Sequence, residues 1–192
     1  RFSAYQKRQD LLVEALGRLA EAQGDRAEAR ALYERSIAIH ESSQRPDHPD
    51  IAYPLRNLAG LLRQEGETAA AVKLCERALE VRRKAFGDRH PEVAESWHDL
   101  ARSRLARNDL KGALEALHIG VDIFRSILPA DSPQLAGGLF LLGDVLRLHG
   151  RPGEAMPYLE EAAAIWRKKP PVSQGEVAAL DAAIVATRAA LH

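Results

Sequence analysis

The stretch PDIAYPLRNLAGLLRQEGETAAAVKLCERALEVRRKAFGDRHP, from Pro49 to Pro91, decides the fold, because it is one complete copy of a unit that recurs along the chain. Five kinds of position return every 42 residues. These columns are Gly24, Gly66, Asn108 and Gly150; Pro49, Pro91 and Pro133; Leu16, Leu58, Leu100 and Leu142; Gly17, Ala59, Ala101 and Gly143; and Ala29, Ala71, Ala113 and Ala155. A fixed period of this length is typical of stacked repeats.

Each copy of the unit is predicted to form two helices. Apolar residues fall at helical spacing in both halves of the second copy, at Leu55, Leu58 and Leu62 and again at Val72, Cys75 and Leu79. The Gly66 column is predicted to end the first helix in a left-handed conformation. The Pro49 column is predicted to begin that helix, because a proline there loses no needed hydrogen bond. The small Gly17 column allows the two helices to approach closely.

Three sites break the local rules for helices. Pro54 lies where the first helix of the second copy is expected, which predicts a helix that bends or starts late. Pro157 is predicted to lie inside a second helix. The pair Gly137 and Gly138 weakens the start of the fourth copy, by roughly 1 kcal/mol per glycine relative to alanine.

Composition excludes several classes of protein. The chain carries 27 basic and 27 acidic residues, so we expect neither nucleic acid nor an anionic membrane as a partner. Its single cysteine, Cys75, excludes an internal disulfide. No apolar run reaches the ~18 residues of a membrane span, and no secretory signal is visible. We therefore expect a cytoplasmic location.

The columns resemble a known family. A Leu-x-x-small pattern, a Gly-Asp type of turn and then alanine resemble the tetratricopeptide repeat. The 42-residue form is similar to the repeats of kinesin light chain and its bacterial relatives, and CERALEVRRKAFGDRHPEVA, from Cys75 to Ala94, carries that signature. The resemblance implies an all-α fold: a right-handed α-solenoid of helical hairpins, with four repeats of this type and a C-terminal helix.

The domain prediction is a single array over residues 1–192. The repeats are expected at about 10–46, 47–89, 90–130 and 131–170, with a capping helix at about 175–191. That last helix keeps the 42-residue register and takes the place of a fifth first helix. It acts either as a polar lid on the array or as the cut edge of a longer one.

The resemblance also implies a ligand site, because first helices line the concave face in this family. Ten peptide-binding candidates match that face: Tyr53, Arg56, Asn57, Arg63, His98, Asp99, Arg102, Phe140, Asp144 and Arg147. Asn57 stands where such repeats commonly place an asparagine that holds a peptide backbone. Arginine pairs well with carboxylates, so the four arginines favour an acidic or C-terminal peptide. The alternative is that they pair internally with Glu95, Asp99 and Asp144.

We expect no catalytic site, metal or cofactor. His98 and Asp99 are neighbours in sequence and point about 100° apart on a helix, and His98 with Asp144 is the one acid–base pair worth testing. No histidines have the spacing of a zinc site. The predicted function is a non-catalytic protein-interaction scaffold that binds a partner peptide or helix in its concave groove. The alternative is a regulatory sensor that binds a signalling peptide or small ligand and controls an attached domain.

Overall fold

A computed structural model describes residues 2–42, 48–169 and 174–191, with side chains from residue 11 onward except at Gln174. These residues form nine α-helices and one 3-10 turn, and none of them lies in a strand. The helices are α1 (Phe2–Ala22), α2 (Arg26–Ser42), α3 (Ala52–Gln64), α4 (Thr68–Phe86), α5 (Pro91–Ala106), α6 (Leu110–Ile127), α7 (Pro133–Leu148), α8 (Pro152–Lys168) and α9 (Gln174–Ala189). The 3-10 turn is Pro49–Ile51.

The predicted helix ends are confirmed. All four members of the Gly66 column have a positive φ: 83° at Gly24, 85° at Gly66, 62° at Asn108 and 72° at Gly150. Asn108 is the only residue other than glycine with a positive φ in the described part of the chain. Its column therefore selects residues that adopt the left-handed conformation at low cost.

The prolines begin helices as predicted. Pro91 and Pro133 are the first residues of α5 and α7. Pro49 opens the 3-10 turn, and α3 begins only at Ala52. Pro54 consequently lies in the first turn of α3, where its missing N–H is not needed, so the predicted late start is confirmed. Pro157 lies inside α8, as predicted.

The chain divides into two compact units. The first comprises Arg1–Asp88 and Asp99–Ala113, and the second comprises Arg89–His98 and Leu114–His192. In the first unit α1 packs on α2 and α3 packs on α4. Gly17 allows the first of these contacts, because a Cβ at Gly17 would lie 2.6 Å from Cε1 of the buried Tyr33.

The second unit contains α7, α8 and α9 in mutual contact. Gly143 plays the same part here as Gly17 does in the first unit, since a Cβ at Gly143 would lie 2.8 Å from Cγ of Leu159. Leu180 and Ile184 of α9 are buried. The single array over residues 1–192 stays a prediction, and its boundaries near residues 46 and 170 lie outside the described residues.

Candidate functional site

The predicted site residues are distributed over both units. Those of the first unit are Tyr53, Arg56, Asn57 and Arg63 on α3 with Asp99 and Arg102 on α5. Those of the second unit are His98 on α5 with Phe140, Asp144 and Arg147 on α7. Each set has its own geometry.

In the first unit, several arginines gather around one carboxylate. The side chain of Asp99 is 16% exposed. Arg102 Nη1 donates to Asp99 Oδ1 at 3.3 Å, and Arg56 Nε lies 3.9 Å from Oδ2. Burial raises the pKa of Asp99 above its ordinary value, while the charges of Arg56, Arg102, Arg82 and Arg63 oppose that rise. We call Arg56, Arg63, Arg82, Asp99 and Arg102 the Asp99 cluster.

Arg82 is a member that the sequence analysis missed. It lies on α4 and is almost completely buried. Its guanidinium carbon is 5.1 Å from the ring centroid of Tyr53, within the range of a cation–π contact. A signal was present in the sequence, because its column otherwise holds His40, Phe124 and Trp166. A cation that replaces an aromatic ring in a repeat column indicates a specific local role.

Arg63 is a partly exposed cation of the cluster. It makes no ion pair within 4 Å with any residue that the structure describes, unlike Arg56 and Arg102, which both face Asp99. The internal pairing that the sequence left as an alternative is therefore present at those two arginines and not at Arg63. The cluster holds four guanidinium groups against one carboxylate, which leaves a net positive charge.

The side of this surface formed by α1 is acidic. Asn57 Nδ2 donates to Glu14 Oε1 at 3.3 Å, so the amide proposed to hold a peptide backbone already has a partner within the chain. Glu21 accepts from the Tyr33 hydroxyl at 2.9 Å and from Gln64 Nε2 at 3.4 Å. Burial and the bond to Glu21 raise the pKa of Tyr33. A ligand that engages Asn57 must displace or share Glu14.

The candidates of the second unit on α7 form local contacts. Arg147 donates to Asp144 Oδ1 from Nη2 at 2.5 Å and from Nε at 3.0 Å, so this pair is internal. The ring of Phe140 meets the ring of Trp166 edge to face, with centroids 5.7 Å apart. Trp166 is buried, and its Nε1 donates to the carbonyl oxygen of Pro133 at 3.4 Å.

His98 differs from the placement that the resemblance implied. Its side chain is buried, at 8% exposure, and its ring meets Phe124 edge to face at 5.4 Å. A Cβ at Gly120 would lie 2.5 Å from His98 Nε2, and one at Gly138 would lie 2.8 Å from Cε1. The imidazole therefore fills the space that these two glycines leave. We exclude His98 from the ligand surface for this reason.

No catalytic arrangement is evident around the groups that could supply one. Burial raises the pKa of Cys75 to about 11, and its Sγ lies 3.3 Å from Ser103 Oγ, so the thiol stays protonated at neutral pH. The suggested pair of His98 with Asp144 combines a buried ring with a carboxylate that Arg147 already holds. Among the residues with described side chains, no group of three potential ligands could hold a metal ion.

Membrane insertion was also considered for the helices. Within the ranges 2–42, 48–169 and 174–191, no helix combines the length and the apolar character needed to span a bilayer.

Solved structures resemble this fold. A Podosopora anserina protein described as a kinesin light chain with nearly identical TPR-like repeats is 26% identical, over 93% of this chain and 85% of that one, with a TM-score of 0.77. BtubC (BKLC) from P. vanneervenii is 19% identical, over 93% and 71% of the two chains, with a TM-score of 0.82. The N-terminal domain of stress-induced protein-1 from C. elegans is 24% identical, over 62% and 87%, with a TM-score of 0.51. These likenesses confirm the predicted fold class, an all-α solenoid of helical hairpins.

Family comparison supports the same assignment. No curated protein sequence matches this chain. One tetratricopeptide repeat model matches residues 9–72 and 50–126, and a second matches residues 98–170. The matched segments cover most of the chain and agree with the 42-residue columns and with the capped helical hairpins. The chain therefore belongs to the tetratricopeptide repeat family, and its repeats are of the kinesin-light-chain-like type.

Proposed function

We propose that this protein is a non-catalytic interaction module whose Asp99 cluster binds an acidic segment of a partner protein. Tetratricopeptide repeats generally mediate protein–protein interactions, and the scaffold is generally non-catalytic. The observation that carries the proposal is the excess of positive charge in the cluster, where four arginines face the single carboxylate of Asp99. Arg63 in particular is partly exposed and has no ion pair within the described part of the chain.

The physical argument concerns the roles of the individual arginines. Arg82 is buried under Tyr53 and adds positive charge from below the surface. Arg56 and Arg102 are 39% and 48% exposed, so their guanidinium edges that do not face Asp99 are open to a ligand. A guanidinium offers several donors in a fixed plane and can bind two carboxylates at once. The cluster can therefore keep its internal pairs and accept another anion.

The acidic side chains on α1 restrict how such a ligand lies. Glu14 and Glu21 repel carboxylates from the α1 side of the surface, while the Asp99 cluster attracts them to the side formed by α3 and α5. Asn57 lies on α3 between these regions and can exchange its bond to Glu14 for one to a peptide carbonyl or amide. We therefore expect a peptide whose acidic residues or C-terminal carboxylate face α5.

Fluorescence anisotropy with defined peptides tests the proposal. The probe is a short labelled peptide rich in glutamate with a free C-terminus, and its counterparts replace glutamate by glutamine or by lysine. We expect binding of the acidic peptide only, weakened by added salt. Arg63→Glu should raise the Kd about tenfold, equivalent to ~1.4 kcal/mol, and Arg63→Gln should have a smaller effect.

The matched control is Arg35→Glu, a charge reversal at an exposed position of α2 outside the cluster. It changes the net charge by the same amount and should leave the Kd unchanged. Circular dichroism of each variant shows that the helices are retained. Equal weakening by Arg35→Glu and Arg63→Glu would mean that binding reflects net charge alone, and the assignment to the Asp99 cluster would then be wrong.

A further inference from the structure

Helix α1 exposes an apolar stripe. Leu12, Leu16 and Leu19 are 61%, 43% and 52% exposed. Their spacing of four and then three residues places them on one side of the helix. The next leucine in sequence, Leu11, is 61% exposed beside them. We call Leu12, Leu16 and Leu19 the leucine face.

The positions equivalent to the leucine face are buried in every later repeat. The equivalents of Leu16 and Leu19 are at most 5% exposed: Leu58, Leu100 and Leu142 in one column and Leu61, Ser103 and Val145 in the other. The equivalents of Leu12 are likewise buried, at Pro54, Ser96 and Gly138. The sequence thus repeats an apolar contact position whose first occurrence is uncovered. A scattered exposed leucine needs no explanation, but three in the register of a buried interface do.

Contacts inside each unit show what covers the later positions. Ser103 Oγ lies 3.3 Å from Cys75 Sγ on α4. A Cβ at Gly138 would lie 3.4 Å from Cγ2 of Val121 on α6. Helix α2 packs on α3 in the same way, and α8 packs on α9. In each case the second helix of one repeat covers the first helix of the next.

These contacts define the residues that would face α1. The column of Leu19 meets the Cys75 column of the covering helix, and the column of Leu12 meets its Val121 column. Those two columns are four residues apart, since they hold Cys75 with Leu79 on one helix and Leu117 with Val121 on another. The covering helix therefore presents two apolar residues one turn apart and runs antiparallel to α1.

We propose that the leucine face binds the second helix of another tetratricopeptide-type hairpin, supplied by a partner polypeptide. A second copy of this chain is a poor source for that helix. Its second helices α2, α4, α6 and α8 are each already followed by a first helix that they cover, as the contacts above show. The proposal rests on register and burial and is independent of the Asp99 cluster.

The chain itself supplies a suitable probe. At two positions of the leucine face α1 matches α3, because Leu58 and Leu61 are leucines as well. The helix that covers α3 is α2, so the probe is a labelled, helix-stapled peptide with the sequence of α2, RAEARALYERSIAIHES. A matched peptide with Ile37→Glu places a charge in the Val121 column. We expect saturable binding of the first peptide and at least tenfold weaker binding of the second.

Protein variants then locate the bound peptide. Leu12→Glu and Leu19→Glu each change an exposed side chain, so the fold should be kept, and each should weaken binding at least tenfold. Leu148→Glu is the control, because Leu148 is equally exposed at the end of α7. It should leave binding unchanged.

Three results would overturn the proposal. The first is the absence of saturable binding by the stapled peptide. The second is binding that Leu12→Glu and Leu19→Glu do not weaken, because the peptide would then occupy another face, such as that of α3. The third is a dimer in light scattering that the same substitutions convert to a monomer, since the leucine face would then join two copies of this chain.

Discussion

Two glycines on the same helix allow a direct test of the close helix contact. Gly143 lies in α7, where a Cβ would be 2.8 Å from both Cγ and Cδ2 of Leu159 and 3.2 Å from the carbonyl oxygen of Ala155. Gly137 lies six residues earlier in α7, and a Cβ there would have no atom within 4 Å. The substitution to alanine is chemically identical at the two sites, so any difference in stability reports packing against α8.

The expected magnitudes follow from two opposing effects. Alanine is favoured over glycine in a helix interior by about 1 kcal/mol. Gly137→Ala should therefore raise the free energy of unfolding by about 0.5–1 kcal/mol. Gly143→Ala gains the same preference, but an extra group in a packed contact costs typically 1–3 kcal/mol. The two variants should differ by about 1–3 kcal/mol, with Gly143→Ala the less stable.

Urea unfolding followed by far-ultraviolet circular dichroism measures this difference. Stacked repeats can unfold in more than one step, so both variants and the wild type should be fitted with one common scheme. A change in midpoint at constant slope indicates a change in stability. If Gly143→Ala proved as stable as Gly137→Ala, Leu159 would have moved aside at no cost. The packing reason given for the Gly17 column would then be wrong.

Further predictions concern single residues with unusual surroundings. Asn108→Gly should stabilise the protein by a few tenths to about 1 kcal/mol in the same urea assay, because φ is 62° there; no gain would contradict the cost assigned to asparagine. Cys75 should react with a thiol reagent only slowly at pH 8 and rapidly in denaturant, because burial raises its pKa to about 11; rapid reaction of the native protein would show that it is accessible. The raised pKa of Asp99 means that the folded state binds this proton more tightly than the unfolded chain. Relative to Asp99→Asn, the wild type should therefore lose stability as pH rises from the ordinary aspartate pKa through the raised one, and a gain would show that the arginines outweigh burial.

The fold was predictable because its constraints recur. A position that must be glycine or asparagine for a left-handed turn, or small for a close contact, is tested four times in one sequence. Asn108 shows how this works, since alone it would be weak support for a helix end, but it stands in a column of glycines. Such repetition separates a structural requirement from the chance occurrence of a residue type. The helix bounds near Pro49 followed from the same columns, together with the rigidity of Pro54.

The candidate site was only partly predictable, because it depends on residues that do not repeat. His98 was assigned to the ligand face by its register, yet Gly120 and Gly138 leave room that its ring fills. That outcome depends on glycines in two other helices and cannot be read from the position of His98 alone. Arg82 was missed because the second helices were not searched for ligand residues. Long arginine side chains also choose among several carboxylates, and only coordinates show that Arg56 and Arg102 both turn to Asp99.

Departures from a column carry different meanings, according to whether chemistry or burial departs. At Arg82 the chemistry differs from the aromatic members of its column, while the residue remains buried as they are. Packing alone would favour an aromatic ring there, since a buried cation must be compensated, so the arginine needs a role beyond the core. At Leu16 the chemistry of the column is kept and the burial is lost. A leucine kept where water surrounds it is best explained by a neighbouring helix that the chain itself does not supply. The first kind of departure indicates a site for polar recognition and the second indicates an interface, and this distinction assigns the Asp99 cluster and the leucine face to different partners.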